Sequence, residues 1–214
     1  MSNPQSGPGD HYFSARPDSA SAPNTVQLIL PEGVGVELST DRGVFSADAV
    51  DVGTRVLLSE APSLEGARDV ADVGCGYGPI AITMALRSGP GTTVWAVDVN
   101  ERARQLCALN ARAAGVGARV RVVAPDQVPT DLVLDQIWTN PPIRVGKANL
   151  HELLTTWLDR LAPGGAATLV VHKHLGSDSL ARWLTAEGWA TRRSASRAGY
   201  RILTVASRSE KQSS

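Results

Sequence analysis

The chain has 214 residues, 43% of them hydrophobic, enough for one sizeable α/β domain with small additions. No run approaches the ~18 uninterrupted apolar residues of a membrane span, and the first residues lack the basic-then-apolar layout of a signal peptide, so a cytoplasmic protein without a membrane partner is expected. A formal net charge of zero hides an asymmetry: residues 1–143 carry 10 Lys and Arg against 16 Asp and Glu, whereas residues 144–214 carry 11 against 5.

Residues 1–24 are rich in Ser, Pro, Gly, Asn and Asp and too poor in apolar side chains to build a core, so they read as a flexible arm in which only HYFS (11–14) is pinned. TVQLIL and VGVELST run apolar or alternate around Pro31-Glu32-Gly33, which predicts a hairpin. The segment 25–50 is taken as this hairpin and a lid on a single domain, 25–208, with 209–214 a disordered tail.

From Asp51 onward helical and extended patterns take turns. GTRVLLSEA reads as a helix, DVADV as a strand, PIAITMALR as a helix and TTVWAVDV as a strand. ERARQLCALNARAAG is a helix closed by Gly115, and RVRVV and LVLDQIW are strands. Over 149–161 the apolar residues Leu150, Leu153, Leu154, Trp157, Leu158 and Leu161 keep helical spacing, ahead of a Pro163-Gly164-Gly165 stop. AATLVV, the helix DSLARWLTAE, WATRRSA and RILTVAS complete the chain. This alternation predicts a doubly wound, mostly parallel sheet of seven strands with helices on both faces. Ligands of such sheets sit outside the carboxyl ends of the strands, at a topological switch point.

Two places carry chemistry. The first is DVADVGCGYGPIA (69–81), a strand that runs into a glycine turn and then a helix. Gly74, Gly76 and Gly78 allow a tight turn and close approach of backbone to a ligand. The spacing is G-x-G-x-G, and Pro79 stands where a dinucleotide fingerprint places its third glycine, which disfavours a pyrophosphate over the helix N-terminus. The next strand ends in Asp98-Val99, where a carboxylate can accept both hydroxyls of a ribose. With Asp72 before the loop, the set predicts a nucleoside site without phosphate. Asp126, after the third strand, can hold an adenine amino group or instead belong to a turn. The second place is TNPPIRVGK (139–147): two prolines directly after a strand forbid both continued sheet and an immediate helix, so Asn140 is held stiffly at the strand's lip.

DVGCGYGPIA, VDVNERA and NPPI, in this order and spacing, resemble the class I S-adenosylmethionine-dependent methyltransferases. HYFS, GVFSADAVDVGTRVLL, NPPIRVGK, HKHLGSDSL and GYRIL resemble more closely the small methyltransferase-domain family, best known for ribosomal small-subunit guanine-N2 methyltransferases, and the likeness runs from about residue 11 to 207. The resemblance implies S-adenosylmethionine as cofactor and ribosomal RNA or a ribosomal subunit as partner. It also implies that the Asn140 side-chain oxygen and the Pro141 carbonyl accept the hydrogens of an exocyclic amine, with Pro142 lending rigidity. Cys75 is assigned to packing beside the cofactor. Asp51 and Thr54 match a D-x-GT element placed over the methionine end of the cofactor, or they cap the following helix.

One departure stands out. In many amino-methylating enzymes the residue after the two prolines is aromatic and stacks on the base, whereas here it is Ile143. Phe45 and Tyr77 are the alternatives, each also able to serve as core packing. Arg144, Lys147, Lys173, Arg197 and Arg201 are expected to hold RNA phosphates. His151, His172 and His174 lack partners at metal or acid–base spacing, no metal is expected, and a monomer or homodimer is anticipated. Rival readings are methylation of a glutamine side chain, an adenine amine or a small molecule, a drug-resistance site on rRNA, and a non-catalytic RNA-binding module.

Overall fold

The computed structural model describes residues 20–208; the HYFS segment and the tail lie outside the described residues. Strands β1 (Pro23–Ile29) and β2 (Gly35–Asp41) form an antiparallel hairpin, so Pro23 and Asn24 belong to a strand rather than to the expected arm. Then follow α1 (Val52–Glu60), β3 (Asp69–Val73), α2 (Pro79–Arg87), β4 (Thr93–Val97), α3 (Glu101–Ala113), β5 (Val120–Val123) and β6 (Leu134–Thr139). The chain ends with α4 (Lys147–Leu158), β7 (Leu161–His172), α5 (Ser177–Ala186), β8 (Ala190–Arg197) and β9 (Tyr200–Ala206).

The seven-stranded sheet has the order β5-β4-β3-β6-β7-β9-β8, and β9 alone runs opposite to the other six strands. Sequential strands step outward from β3 through β4 to β5, and the chain then returns to the other side of β3 as β6. The order therefore reverses between β3 and β6, where a ligand crevice opens at the carboxyl ends. The glycine loop leaves β3 there, and the NPP stretch leaves β6 beside it.

Strand alternation sorts side chains to the two faces. Val70, Val94, Ala96, Val170 and Ile202 join α1, α2, α3 and the hairpin in one core. Ala71, Val73, Val97, Leu169, Val171 and Leu203 join α4 and α5 in the other. Full burial of Leu57, Leu154 or Leu184 contributes roughly 1.5–3 kcal/mol per side chain. The hairpin is fixed to the sheet side by Asn110 of α3, which is 1% exposed. Its Nδ2 donates to the Ser39 carbonyl (2.8 Å) and the Tyr77 carbonyl (2.9 Å), and its Oδ1 accepts from the Ser39 N–H (2.8 Å).

Strand β7 departs from expectation. It begins at Leu161 rather than Ala166, because Pro163-Gly164-Gly165 is an irregular extended stretch, not a stop. Pairing jumps from Leu134↔Leu161 to Gln136↔Ala166, Gly164 takes φ +79°, and a Cβ on Gly165 would come within 2.9 Å of the Leu134 carbonyl.

Candidate active site

The floor of the site is the glycine loop. The N–H groups of Gly74 and Cys75 donate to the Val97 carbonyl (2.8 and 3.0 Å), tying the loop to β4, and Gly78 donates to the Cys75 carbonyl (2.9 Å). Gly74, Gly76 and Gly78 all have positive φ, which is why side-chain-free residues occupy them. A Cβ on Gly76 would enter open space, whereas one on Gly78 would strike the Cys107 sulfur at 2.7 Å. One alternate glycine thus keeps the surface clear, and another lets α3 pack against the loop.

Asp98 ends β4 with its carboxylate folded over the loop. One oxygen accepts from the Gly76 N–H and the other from the Asn100 N–H, each at 2.8 Å. Its pKa is raised because burial outweighs these bonds and the pull of Arg104. Each carboxylate oxygen has a second acceptor direction, so the group retains capacity for a diol. Val99 contributes its carbonyl to Arg104 Nη1 (2.8 Å). Asp126 is exposed in a short 3-10 turn that the Gln127 side chain closes onto the Ala124 N–H (2.9 Å), leaving the aspartate out of the cap.

Asp72 lies beneath the loop with no exposed surface. One oxygen accepts from the Ala81 N–H (2.9 Å), holding the first turn of α2, and Oδ1 is buried without a partner. Burial and the neighbouring Asp98 charge push its carboxyl well above the usual range, against the Ala81 bond. Cys75 is buried, its sulfur 3.6 Å from the Gly76 carbonyl, and its hydrogen bond with Cys107, then burial, push its thiol up. Of the two readings of Tyr77, base stacking and core packing, the structure has the second: Tyr77 is 2% exposed and packs within the hairpin-side core. Burial, with the Asp51 charge, pushes its phenol up to about 12.

Across the switch point, the Thr139 hydroxyl donates to the Val73 carbonyl (2.7 Å) and clamps the ends of β6 and β3 together just below Asn140. Pro142 takes φ −75°, ψ 78°, and Ile143 N–H donates to the Pro141 carbonyl at 2.9 Å, an inverse γ-turn. That turn fixes the direction of the Pro141 carbonyl and leaves its second lone pair unused. The Asn140 side chain is fixed as well. Its Nδ2 donates to Asp51 Oδ2 (2.9 Å) and to the Thr54 hydroxyl (3.2 Å). A carboxylate can only accept, so the amide nitrogen must face it and the amide oxygen points the other way. Asp51 also caps α1 by accepting from the Thr54 N–H (3.0 Å). Both readings of Asp51 and Thr54 therefore leave out their closest task, which is to hold Asn140.

The remaining residues divide. Phe45 is 67% exposed in the connection between β2 and α1. Ile143 is half-buried against the α4 side. Arg144 and Lys147 are exposed just beyond the NPP turn. Lys173, Arg197 and Arg201, spread over 29 sequence positions, line one hollow of about 230 Å³ together with Ser196, Gly199 and Tyr200. Arg201 is paired with Asp178, and Arg197 lies 3.7 Å from Glu60. A larger hollow, about 320 Å³ and mostly apolar, lies between the hairpin and α1 and contains neither the glycine loop nor Asn140. Sequence reasoning missed Asn110 and Tyr200. The quoted GYRIL was the available signal for Tyr200, an aromatic residue directly after a glycine turn.

A glycine loop with an overhanging carboxylate, facing a rigid amide across the switch point, belongs to the Rossmann-like methyltransferase fold. The chain is a member of the methyltransferase small domain family, which matches residues 35–204. It is 35% identical over 175 residues to the uncharacterized Bacillus subtilis protein YbxB, a match covering 79% of this chain and 85% of that one. It is 32% identical over 174 residues to the ribosomal RNA small subunit methyltransferase C of Shewanella amazonensis, covering 79% of this chain and 50% of the relative. A solved Thermus thermophilus 16S rRNA N2 G1207 methyltransferase, in complex with AdoMet and guanosine, shares the fold at 22% identity with a TM-score of 0.68 over 88% of this chain and 52% of that one. The chain thus spans about half the length of the rRNA methyltransferases it matches. Membership makes it an S-adenosylmethionine-dependent methyltransferase. The residues present fit that cofactor: the surface over Gly76 is clear and the Asp98 carboxylate keeps acceptor capacity beside it. Among the described residues, no helix is long and apolar enough to cross a membrane.

Proposed function

We propose that this chain methylates an exocyclic amine of ribosomal RNA, with guanine N2 the preferred target. The observation that carries this reading is the Asp51–Asn140 contact, which turns the amide oxygen away from its anchors. Gly74, Gly76, Gly78 and Asp98 would seat the nucleoside part of the cofactor, and the methyl carbon it supplies is already electrophilic through the sulfonium. The chain's own task is to hold the amine in line. A ring amine is a weak nucleophile because its lone pair is delocalised into the ring. Asn140 Oδ1 and the Pro141 carbonyl, accepting its two hydrogens, favour the pyramidal nitrogen that develops during transfer. Because a γ-turn and a carboxylate pre-set both acceptors, little reorganisation is needed as charge appears. The target base has to leave its stack to reach this edge. The hollow lined by Lys173, Arg197 and Arg201, with Arg144 and Lys147 past the NPP turn, supports a polyanionic substrate.

The relatives' names support rRNA, and a guanosine complex of a fold neighbour supports guanine. The test is mass mapping of rRNA nucleosides after incubating naked rRNA and assembled subunits with the protein and S-adenosylmethionine. We expect N2-methylguanosine with the parent, and none with Asn140→Ala, whose cofactor binding by calorimetry stays intact. Methyl label on protein, on adenine or on a small molecule overturns the guanine reading.

A further inference from the structure

The basic hollow and the anchor of Asn140 share one wall, the ring of Tyr200. We infer that Tyr200 is the aromatic surface against which the target base is held, the role that Ile143 cannot fill. This inference rests on the RNA reading above.

Tyr200 opens β9, in register with His172 at the end of β7, so it stands at the carboxyl edge of the sheet. The turn before it, Ala198-Gly199, has φ of 49° and 81°, two positive values in a two-residue hairpin loop. Alanine in that region is disfavoured, so the loop shape is imposed by its surroundings. His172 meets the tyrosine ring edge-on, with centroids 4.9 Å apart at 87°. The Cδ1–Cε1 edge of the ring leans on the first turn of α1, and the residue is half-buried against the hairpin-side core. A Cβ on Gly53 would fall 2.7 Å from Tyr200 Cε1 and 2.8 Å from Asp51 Oδ2, so ring and carboxylate press on the same glycine. That carboxylate oxygen is the one holding Asn140. Tyr200 also lines the hollow with Lys173, Arg197 and Arg201. A nucleotide with its phosphate among these cations lies over the ring and extends its base toward Asn140. The other aromatic candidates are placed less well: Tyr77 is buried, and Phe45 belongs to a separate connection.

The test compares Tyr200→Phe, Tyr200→Leu and Phe45→Leu in methyl transfer to rRNA, with KM for RNA and for S-adenosylmethionine measured separately. Stacking of a base on a ring predicts a loss of about 5- to 150-fold in kcat/KM for RNA with Tyr200→Leu. Tyr200→Phe stays within about threefold, and the cofactor KM is unchanged in both, because a ring without its hydroxyl still stacks. Ultraviolet cross-linking of the parent protein to RNA needs no variant to fold, and it should place the adduct on the peptide containing Tyr200. An RNA-active parent with Tyr200→Leu unaffected, equal damage from Phe and Leu, or an adduct at Phe45 overturns this inference alone. A parent that methylates no RNA overturns it together with the RNA reading.

Discussion

Asp51 and Asn140, 89 residues apart in sequence, meet through one carboxylate oxygen 2.9 Å from the amide nitrogen. The same oxygen caps α1, so the helix start and the Asn140 amide are set by a single group. Serine caps a helix about as well as aspartate but is too short and uncharged to hold the amide. Asp51→Ser should leave melting temperature nearly unchanged and lower kcat by up to about 100- to 1,000-fold, the cost of losing one pre-set transition-state contact. Steady-state kinetics beside a thermal melt checks this; an unchanged kcat would show that Asn140 orients itself.

Gly76 and Gly78 should fail differently when given a methyl group. Both sit at positive φ, which costs an alanine about 1–2 kcal/mol. At Gly78 the new carbon also collides with Cys107, and overpacking adds about 1–3 kcal/mol. Gly78→Ala should therefore appear chiefly as lost stability in denaturant titration. Gly76→Ala should appear chiefly as S-adenosylmethionine affinity weakened by roughly tenfold or more, about 1.4 kcal/mol in calorimetry.

Asn110 serves three backbone groups from a buried position. Asn110→Leu strands them, and each buried unpaired group costs about 1–3 kcal/mol. Urea unfolding should show a loss of at least about 2 kcal/mol, and limited proteolysis should cut first between β1 and β2. A loss under about 0.5 kcal/mol would mean the hairpin is held by its apolar face alone.

Burial raises the Asp72 carboxyl well above its ordinary range, so the folded protein holds that proton more tightly than the unfolded chain. The stabilising contribution is complete below the unfolded pKa, about 3.9, and is lost as pH rises through the raised folded value. An amide keeps an acceptor for the Ala81 N–H and undergoes no such loss. The melting temperature of Asp72→Asn minus that of the parent should therefore grow between pH 5 and pH 8 without cofactor. A difference constant across that range contradicts the assignment.

Phosphate contacts release counterions, which makes RNA affinity steeply salt-dependent. Lys173→Ala with Arg197→Ala should lower the slope of log affinity against log salt by about 1.4, roughly 0.7 per contact on single strands. Anisotropy titrations between low and physiological salt measure it. Glu60 beside Arg197 makes the single Arg197 change the smaller of the two.

Much of the frame was legible because glycine and proline punctuate it. DVADV and PIAITMALR have their predicted ends, since Gly74 to Gly78 cannot continue a strand and Pro79 suits a first helical turn. Pro163-Gly164-Gly165 misled for the same reason: turn residues also make bulges, and only the partner strand decides which. Tyr77 lies within the glycine loop in sequence, yet its ring goes to the core, because neighbours along a turn point in different directions. The pairing of Asp51 with Asn140 was out of reach, since each motif explains itself locally and only the sheet order brings them together. Tyr200 was hidden similarly, at the head of a strand whose alternation already accounted for it.

The reversed strand β9 has a consequence for which part of the sheet's edge is free to vary. Its hairpin with β8 returns the chain to the carboxyl edge of the sheet through a two-residue loop, outside β7 and apart from the glycine turn at β3. Residues can be inserted or exchanged at that tip while β3, β4 and the seat of the methyl donor keep their register. That tip can therefore change without disturbing the strands that position the glycine turn and Asn140.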